Sequence, residues 1–178
     1  MTMHRYSEVL GLPVIYADNG KKAGIVKDVV FNPGQREVMA FLLECKNLTL
    51  KKRVIPLKEV LSLGRDAIIT GGFSCVAALG RSDFARMYGD ESNIIGLRIF
   101  SKTGEDLGVV KDVIFDWKTG RIESVEISDG MLQDIIQGRK LLPLIGRVEF
   151  GSENLLVERE AVEEMANTGG GIKNRLLN

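Results

Sequence analysis

The octapeptide Gly24-Ile25-Val26-Lys27-Asp28-Val29-Val30-Phe31 returns as Gly108-Val109-Val110-Lys111-Asp112-Val113-Ile114-Phe115, with six of eight positions identical. At about 6% chance identity per position, such a match has a probability of about 10⁻⁶ per comparison against roughly 10⁴ window pairs, so the flanks must decide. They align in order. Gly11-Leu12 matches Gly96-Leu97, Asn19-Gly20 matches Thr103-Gly104, and Ile55-Pro56-Leu57 matches Leu142-Pro143-Leu144. Gly64 followed by Ile68-Ile69 then matches Gly151 followed by Leu155-Leu156. The chain is a tandem duplication, and its 178 residues must supply two small cores instead of one large one. The expected organisation is a first domain at 1–80, a helical linker at 81–91, a second domain at 92–160, and a helix end and tail at 161–178.

Each copy reads as β-rich. Val14-Ile15-Tyr16 and Arg98-Ile99-Phe100 are short strands that end at Asp18-Asn19-Gly20 and Lys102-Thr103-Gly104, residues that supply the positive φ of a tight turn. The glycine pairs Gly20/Gly24 and Gly104/Gly108 are read as turn residues, not as a phosphate loop. A second strand starts at Gly24 and at Gly108. Its apolar residues do not alternate cleanly, which predicts a bulge or burial on both faces. The third strand covers Val38 to Leu43 and Ile122 to Ile127, with one face only partly apolar in the second copy. Pro56 and Pro143 place the fourth strand at an edge, a start or a corner. A final strand follows near Ala67–Thr70 and Asn154–Val157. Short antiparallel strands of this kind must curl to hide their edges, so the expected fold is mainly β, two tandem small antiparallel barrels. Helical pieces are expected at 82–88, with Ser82 as N-cap, and at 158–167.

The pattern Asp/Thr-x-Gly-x-x-x-Gly-x-Val-x-Asp-Val, a β return, Ile/Leu-Pro-Leu and Gly-x-x-x-Ile/Leu-Ile/Leu resembles the PRC-barrel domain, present twice. That family includes the cytoplasmic domain of the photosynthetic reaction-centre H subunit and the C-terminal domain of the 30S ribosome maturation factor. In layout the chain is similar to stand-alone two-copy bacterial members, some linked to sporulation. The resemblance implies adaptors that bind other proteins, with no shared catalytic motif. The membrane helix of the one relative and the N-terminal domain of the other are not seen, so neither specific function transfers whole.

Composition narrows the chemistry. Lys and Arg total 24 and Asp and Glu total 24, which disfavours a chain devoted to neutralising a phosphate backbone. The first residues lack a signal peptide's basic and apolar regions, and no run reaches the roughly 18 apolar residues of a membrane span. A cytoplasmic protein is expected. His4 is the only histidine and is expected at the surface, which leaves histidine-assisted nucleophilic catalysis without a base. Cys45 and Cys75 lack metal spacing and are expected to be small buried hydrophobes. No enzyme activity, cofactor or metal is expected.

Three features are candidates for sites. Asp28 and Asp112, each after a lysine, recur in both copies. They are read as hydrogen-bond acceptors for backbone amides at a bulge, with Lys27 and Lys111 solvated. Splitting the sequence after Ala85 gives 12 basic and 8 acidic residues, then 12 and 16. The basic excess gathers at Lys46, Lys51, Lys52, Arg53 and Lys58, which reads as a solvated edge or as a surface for RNA or an acidic protein. The second copy instead carries an insertion at 129–139, where Met131, Leu132, Ile135 and Ile136 make an apolar stripe at helical spacing. That stripe plugs its own barrel or meets a partner or second copy. The leading functional expectation is a non-enzymatic protein-binding adaptor. The alternative is a ribosome- or RNA-associated assembly factor that uses the 46–58 stretch.

Overall fold

The computed structural model describes residues 2–45, 51–89, 93–128 and 140–167. The insertion residues Met131, Leu132, Ile135 and Ile136, together with Lys46, lie outside the described residues. The chain forms two compact units, Met1–Ser92 with Phe115–Arg121, and Asn93–Ile114 with Ile122–Asn178.

The first unit opens with β1 (Met3–Arg5) and the short helix α1 (Tyr6–Val9). A meander follows: β2 (Pro13–Tyr16), β3 (Lys22–Asn32), β4 (Glu37–Leu43) and β5 (Lys52–Pro56). The hairpin β6 (Val60–Leu63) and β7 (Ile68–Thr70) comes next, then β8 (Ala77–Leu79) and helix α2 (Arg81–Tyr88). The strand order is β6-β7-β2-β3-β4-β5-β8. β5 and β6 lie far apart in that order, yet only the 3₁₀ turn Leu57–Glu59 separates them in the chain. The sheet must therefore curl until the two regions meet, which makes it barrel-like.

One expectation is corrected here. The sheet is not wholly antiparallel, because β7 runs parallel to β2, with Val14 opposite Ile68 and Tyr16 opposite Thr70. The cause is the proline corner. Pro56 ends β5, and the chain turns the corner through Leu57–Glu59 without reversing, so the strand returning from β6 meets β2 in the same sense. The second unit repeats this with β9 (Arg98–Ser101), β10 (Asp106–Asp116), β11 (Ile122–Ser128), β12 (Lys140–Pro143), β13 (Val148–Phe150) and β14 (Asn154–Val157). There β14 runs parallel to β9. Helix α3 (Arg159–Asn167) follows and packs against β12.

Equivalent apolar residues fill the two cores: Val14 and Ile99, Val26 and Val110, Val29 and Val113, Ile55 and Leu142, Ile68 and Leu155. The bulge expected in the second strand is present, since the β3–β4 register shifts between Val26 and Asp28 and leaves Lys27 as the extra residue.

Several local expectations are overturned. Gly20 and Gly104 do have positive φ in turns, but Gly24 and Gly108 lie inside β3 and β10. At Gly24 a Cβ would stand 3.2 Å from Leu43 Cδ1, so close side-chain approach sets the requirement. Gly108 has φ +113° at a bulge, where its N–H donates to Asp106 Oδ1 at 3.0 Å. Ser82 is not the N-cap of α2. Gly80, extended at the end of β8, takes that place and starts the helix earlier. The expectation for β11 holds, since one face is only partly apolar, yet both faces are covered, with Ser124 and Ser128 buried and Glu126 only 3% exposed. Glu126 and Ser128 each have polar or electrostatic partners, as burial of such groups requires.

Candidate functional site

The repeated aspartates have a local role. Asp28 Oδ1 accepts the Val29 N–H at 2.8 Å and the Tyr6 hydroxyl at 2.9 Å. Asp112 Oδ1 accepts the Val113 N–H at 2.9 Å and is itself buried. Each carboxylate satisfies a backbone donor at the irregular point of its strand, while Lys27 and Lys111 are exposed.

The described residues of the basic stretch differ in their surroundings. Lys51 and Lys58 are exposed, Lys58 on the corner turn. Arg53 stands opposite Leu43 and sends Nη2 back to the Ala23 carbonyl at 2.8 Å, so it braces β3 against β5. Lys52 places its ammonium 4.3 Å over the Phe84 ring of α2. Burial, followed by the nearby charges of Arg81 and Lys27, holds its proton affinity below the ordinary lysine range. The structure thus groups Lys52 with two cations that sequence reading did not join to it. The missing signal was β8. Lys52 pairs with Leu79, and Arg81 follows two residues later.

His4 is not a surface histidine. It is half-buried in β1, and its Nε2 is buried without a hydrogen-bond partner. Burial lowers its pKa, and the Glu8 carboxylate opposes that only in part. The cysteines are not core residues either, because Cys45 is exposed and Cys75 half-exposed. Cys45 lies beyond the end of β4 and its thiol donates to the Lys51 carbonyl at 3.4 Å. Among the described residues no group of three or more His, Cys, Asp or Glu side chains converges to hold a metal ion.

Two further surfaces stand out. On the first unit Phe73 is 77% exposed and lies against Tyr16, the rings tilted by 52° with 6.4 Å between centroids. Leu61, 61% exposed, follows Val60, and Val60, Thr70 and Tyr16 form one row across β6, β7 and β2. Phe73 and Leu61 therefore crown the same end of the sheet. On the second unit a hollow of about 490 Å³ has a floor of Phe100 and Leu156, walled by the 149–154 turn. Its carboxylate Glu149 is held by Lys102 at 3.4 Å and Arg147 at 3.3 Å.

Taken together, these features define a tandem β-barrel protein whose unusual surfaces are apolar and basic patches, all on small curled sheets. The family model for the PRC-barrel domain matches residues 1–72 and again 90–162, and the chain belongs to the PRC-barrel family. No curated protein matches the chain. Among the described residues no helix is long and apolar enough to cross a membrane.

Proposed function

We propose that this chain is a non-enzymatic adaptor that binds a partner protein through its barrels. The observation that carries the reading is the pair Phe73 and Leu61, large apolar side chains held out at one end of the first sheet. An exposed aromatic and an exposed aliphatic residue at one end of a sheet have the composition of an interface anchor. PRC-barrel domains are often interaction modules, which supports the same reading. Two free thiols favour action in the reducing cytoplasm. The 129–139 insertion, with Leu132 and Ile136, is a second proposed contact.

The test is affinity capture from source-organism lysate at low and high salt, with and without nuclease, comparing wild type, Phe73→Ser/Leu61→Ser, and Leu132→Asp/Ile136→Asp. The adaptor reading expects one protein that survives salt and nuclease and is lost with a variant that remains folded. Ribosomal components released by salt or nuclease would replace it with the RNA-associated reading, because phosphate contacts weaken steeply with salt.

A further inference from the structure

We propose that the hollow on the second unit binds the guanidinium side chain of an arginine presented by a partner protein. Its volume of about 490 Å³ lies inside the range of about 300–1,000 Å³ that ligand pockets occupy. Strand pairing builds the floor. Glu149, Leu156 and Phe100 stand opposite one another on β13, β14 and β9, and Asp106 of β10 continues the row. Their chain neighbours Leu155, Val157 and Ile99 are buried in the core, so the row lies on the other face of the sheet. The turn from Gly151 to Asn154 makes the wall, closed by the Gly151 N–H donating to the Asn154 carbonyl at 2.8 Å.

The first copy shows which of these residues the fold does not require. Its matching row is Ser62, Ile69, Ile15 and Lys22, and its matching turn, Gly64-Arg65-Asp66-Ala67, is closed by the same bond at 3.0 Å. In that turn Asp66 pairs with Arg65 at 3.8 Å. In the second turn Ser152 stands where Arg65 does, so Glu153 has no cation beside it in the chain. The other acids around the hollow are already neutralised. Glu149 pairs with Lys102 and Arg147, Lys102 also holds Glu158 at 2.7 Å, and Asp106 pairs with Arg98. Among the described residues Glu153 has no ion pair, and the side chains of Ser152 and Asn154 make no hydrogen bond.

The hollow therefore offers one unpaired carboxylate and two neutral oxygens beside a floor that is half aromatic and half aliphatic. An arginine side chain answers each part. Its five N–H donors suit the acceptors, its weakly hydrated plane stacks on an aromatic ring, and its stem covers an aliphatic surface. A lysine ammonium is more strongly hydrated and gives up more water to enter. Free arginine would bring its own carboxylate to a place where Lys102 and Arg147 are both engaged, which favours an arginine inside a chain. What presents that arginine rests on the adaptor reading. The site itself lies on the other unit from Phe73 and Leu61 and is tested without a partner, so the two can fail separately.

The experiment is a titration of the full chain with N-acetyl-arginine amide near neutral pH at constant ionic strength, followed by amide NMR. The expected result is saturable shifts at Gly151, Ser152, Glu153 and Asn154, with a dissociation constant on the order of 1 mM for so small a probe. Glu153→Gln and Ser152→Arg should each weaken binding about tenfold or more, the second by restoring the ion pair of the first copy. Both positions are exposed, so the fold should survive either change. Asp66→Asn should bind as wild type, and N-acetyl-lysine amide and free arginine should bind more weakly. Absence of saturable shifts, or equal binding by wild type and both variants, overturns the proposal. Equal binding of the lysine probe or of N-acetyl-leucine amide overturns the guanidinium assignment, and equal binding of free arginine overturns the assignment to a partner chain.

Discussion

The two copies finish the same sheet in different ways. In the first, the outer side of β5 is paired with the short strand β8, and the chain then enters α2. In the second, the equivalent strand β12 is met by helix α3, whose Ala161 is fully buried. A strand edge left bare invites pairing with another chain, so each copy has to cover it, and either a strand or a helix will serve. The difference shows in charge. The strand solution carries Arg81, two residues past β8, into the electrostatic neighbourhood of Lys52. The second unit, with a helix there and an acidic excess, has no counterpart among its described residues.

Ala161→Asp should break the helix solution most severely. It places a carboxylate where α3 meets β12, and a buried unpaired charge of this kind costs about 3–5 kcal/mol. Hydrogen exchange should show protection lost in β11, β12 and α3 while β3 and β4 keep theirs. Equal loss in both regions would mean that the copies do not unfold separately. Next come the matched core truncations Ile55→Ala and Leu142→Ala, each expected to cost about 2–5 kcal/mol in denaturant unfolding. A large gap between them would show that the two cores differ in their ability to collapse around a lost side chain.

The repeated aspartates sharpen the comparison at lower energy. Asp112→Ala should cost about 1–3 kcal/mol, because it strands a buried amide donor. Asp28→Ala should cost less, since that site is only half-buried and water can replace the carboxylate. The order would be reversed if the Tyr6 hydroxyl depends on Asp28 more than the amide does. Gly20→Ala and Gly104→Ala should each cost about 1 kcal/mol. Both have positive φ and open space around a new Cβ, so only the backbone term remains.

The smallest effect is the pH dependence from His4, which has no matching histidine in the second copy. Burial lowers its folded pKa below 6.5, so the unfolded chain takes up the proton first. Its contribution is therefore whole above about pH 6.5 and is lost as the pH falls below that value. Denaturant unfolding at pH 7.5 and 5.5 should show a smaller acid loss in His4→Gln than in wild type. Equal losses would assign the slope to carboxylates alone.

Most of the strand plan was legible because turn glycines and apolar runs are local signals, and because each copy checked the other. β8 was not. Ala77-Ala78-Leu79 lacks the branched and aromatic residues that mark strands, and it is a strand only because β5 offers an edge. The candidate site was half legible for the same reason. Lys52 could be counted as a charge, but its grouping with Lys27 and Arg81 depends on a bulge and on the unseen strand. Arg53 counted equally in sequence, yet it turns to the Ala23 carbonyl, a choice made by the cross-strand pairing with Leu43. Side-chain direction on a short strand is set by register, and register is a tertiary property.

The proline corner also governs the order in which each copy can assemble. Since β7 lies beside β2, and β14 beside β9, the first strand of each repeat waits for nearly the last to arrive. Joining residue 14 to residue 68 closes a long loop before any reward is collected, which slows folding relative to a simple meander. During synthesis β2, β3 and β4 can pair as they emerge, but the ring stays open until residue 70 has cleared the ribosome. The interval leaves the Val14 edge unpaired, and it is then that the nascent chain is most exposed to pairing with the edge of another chain.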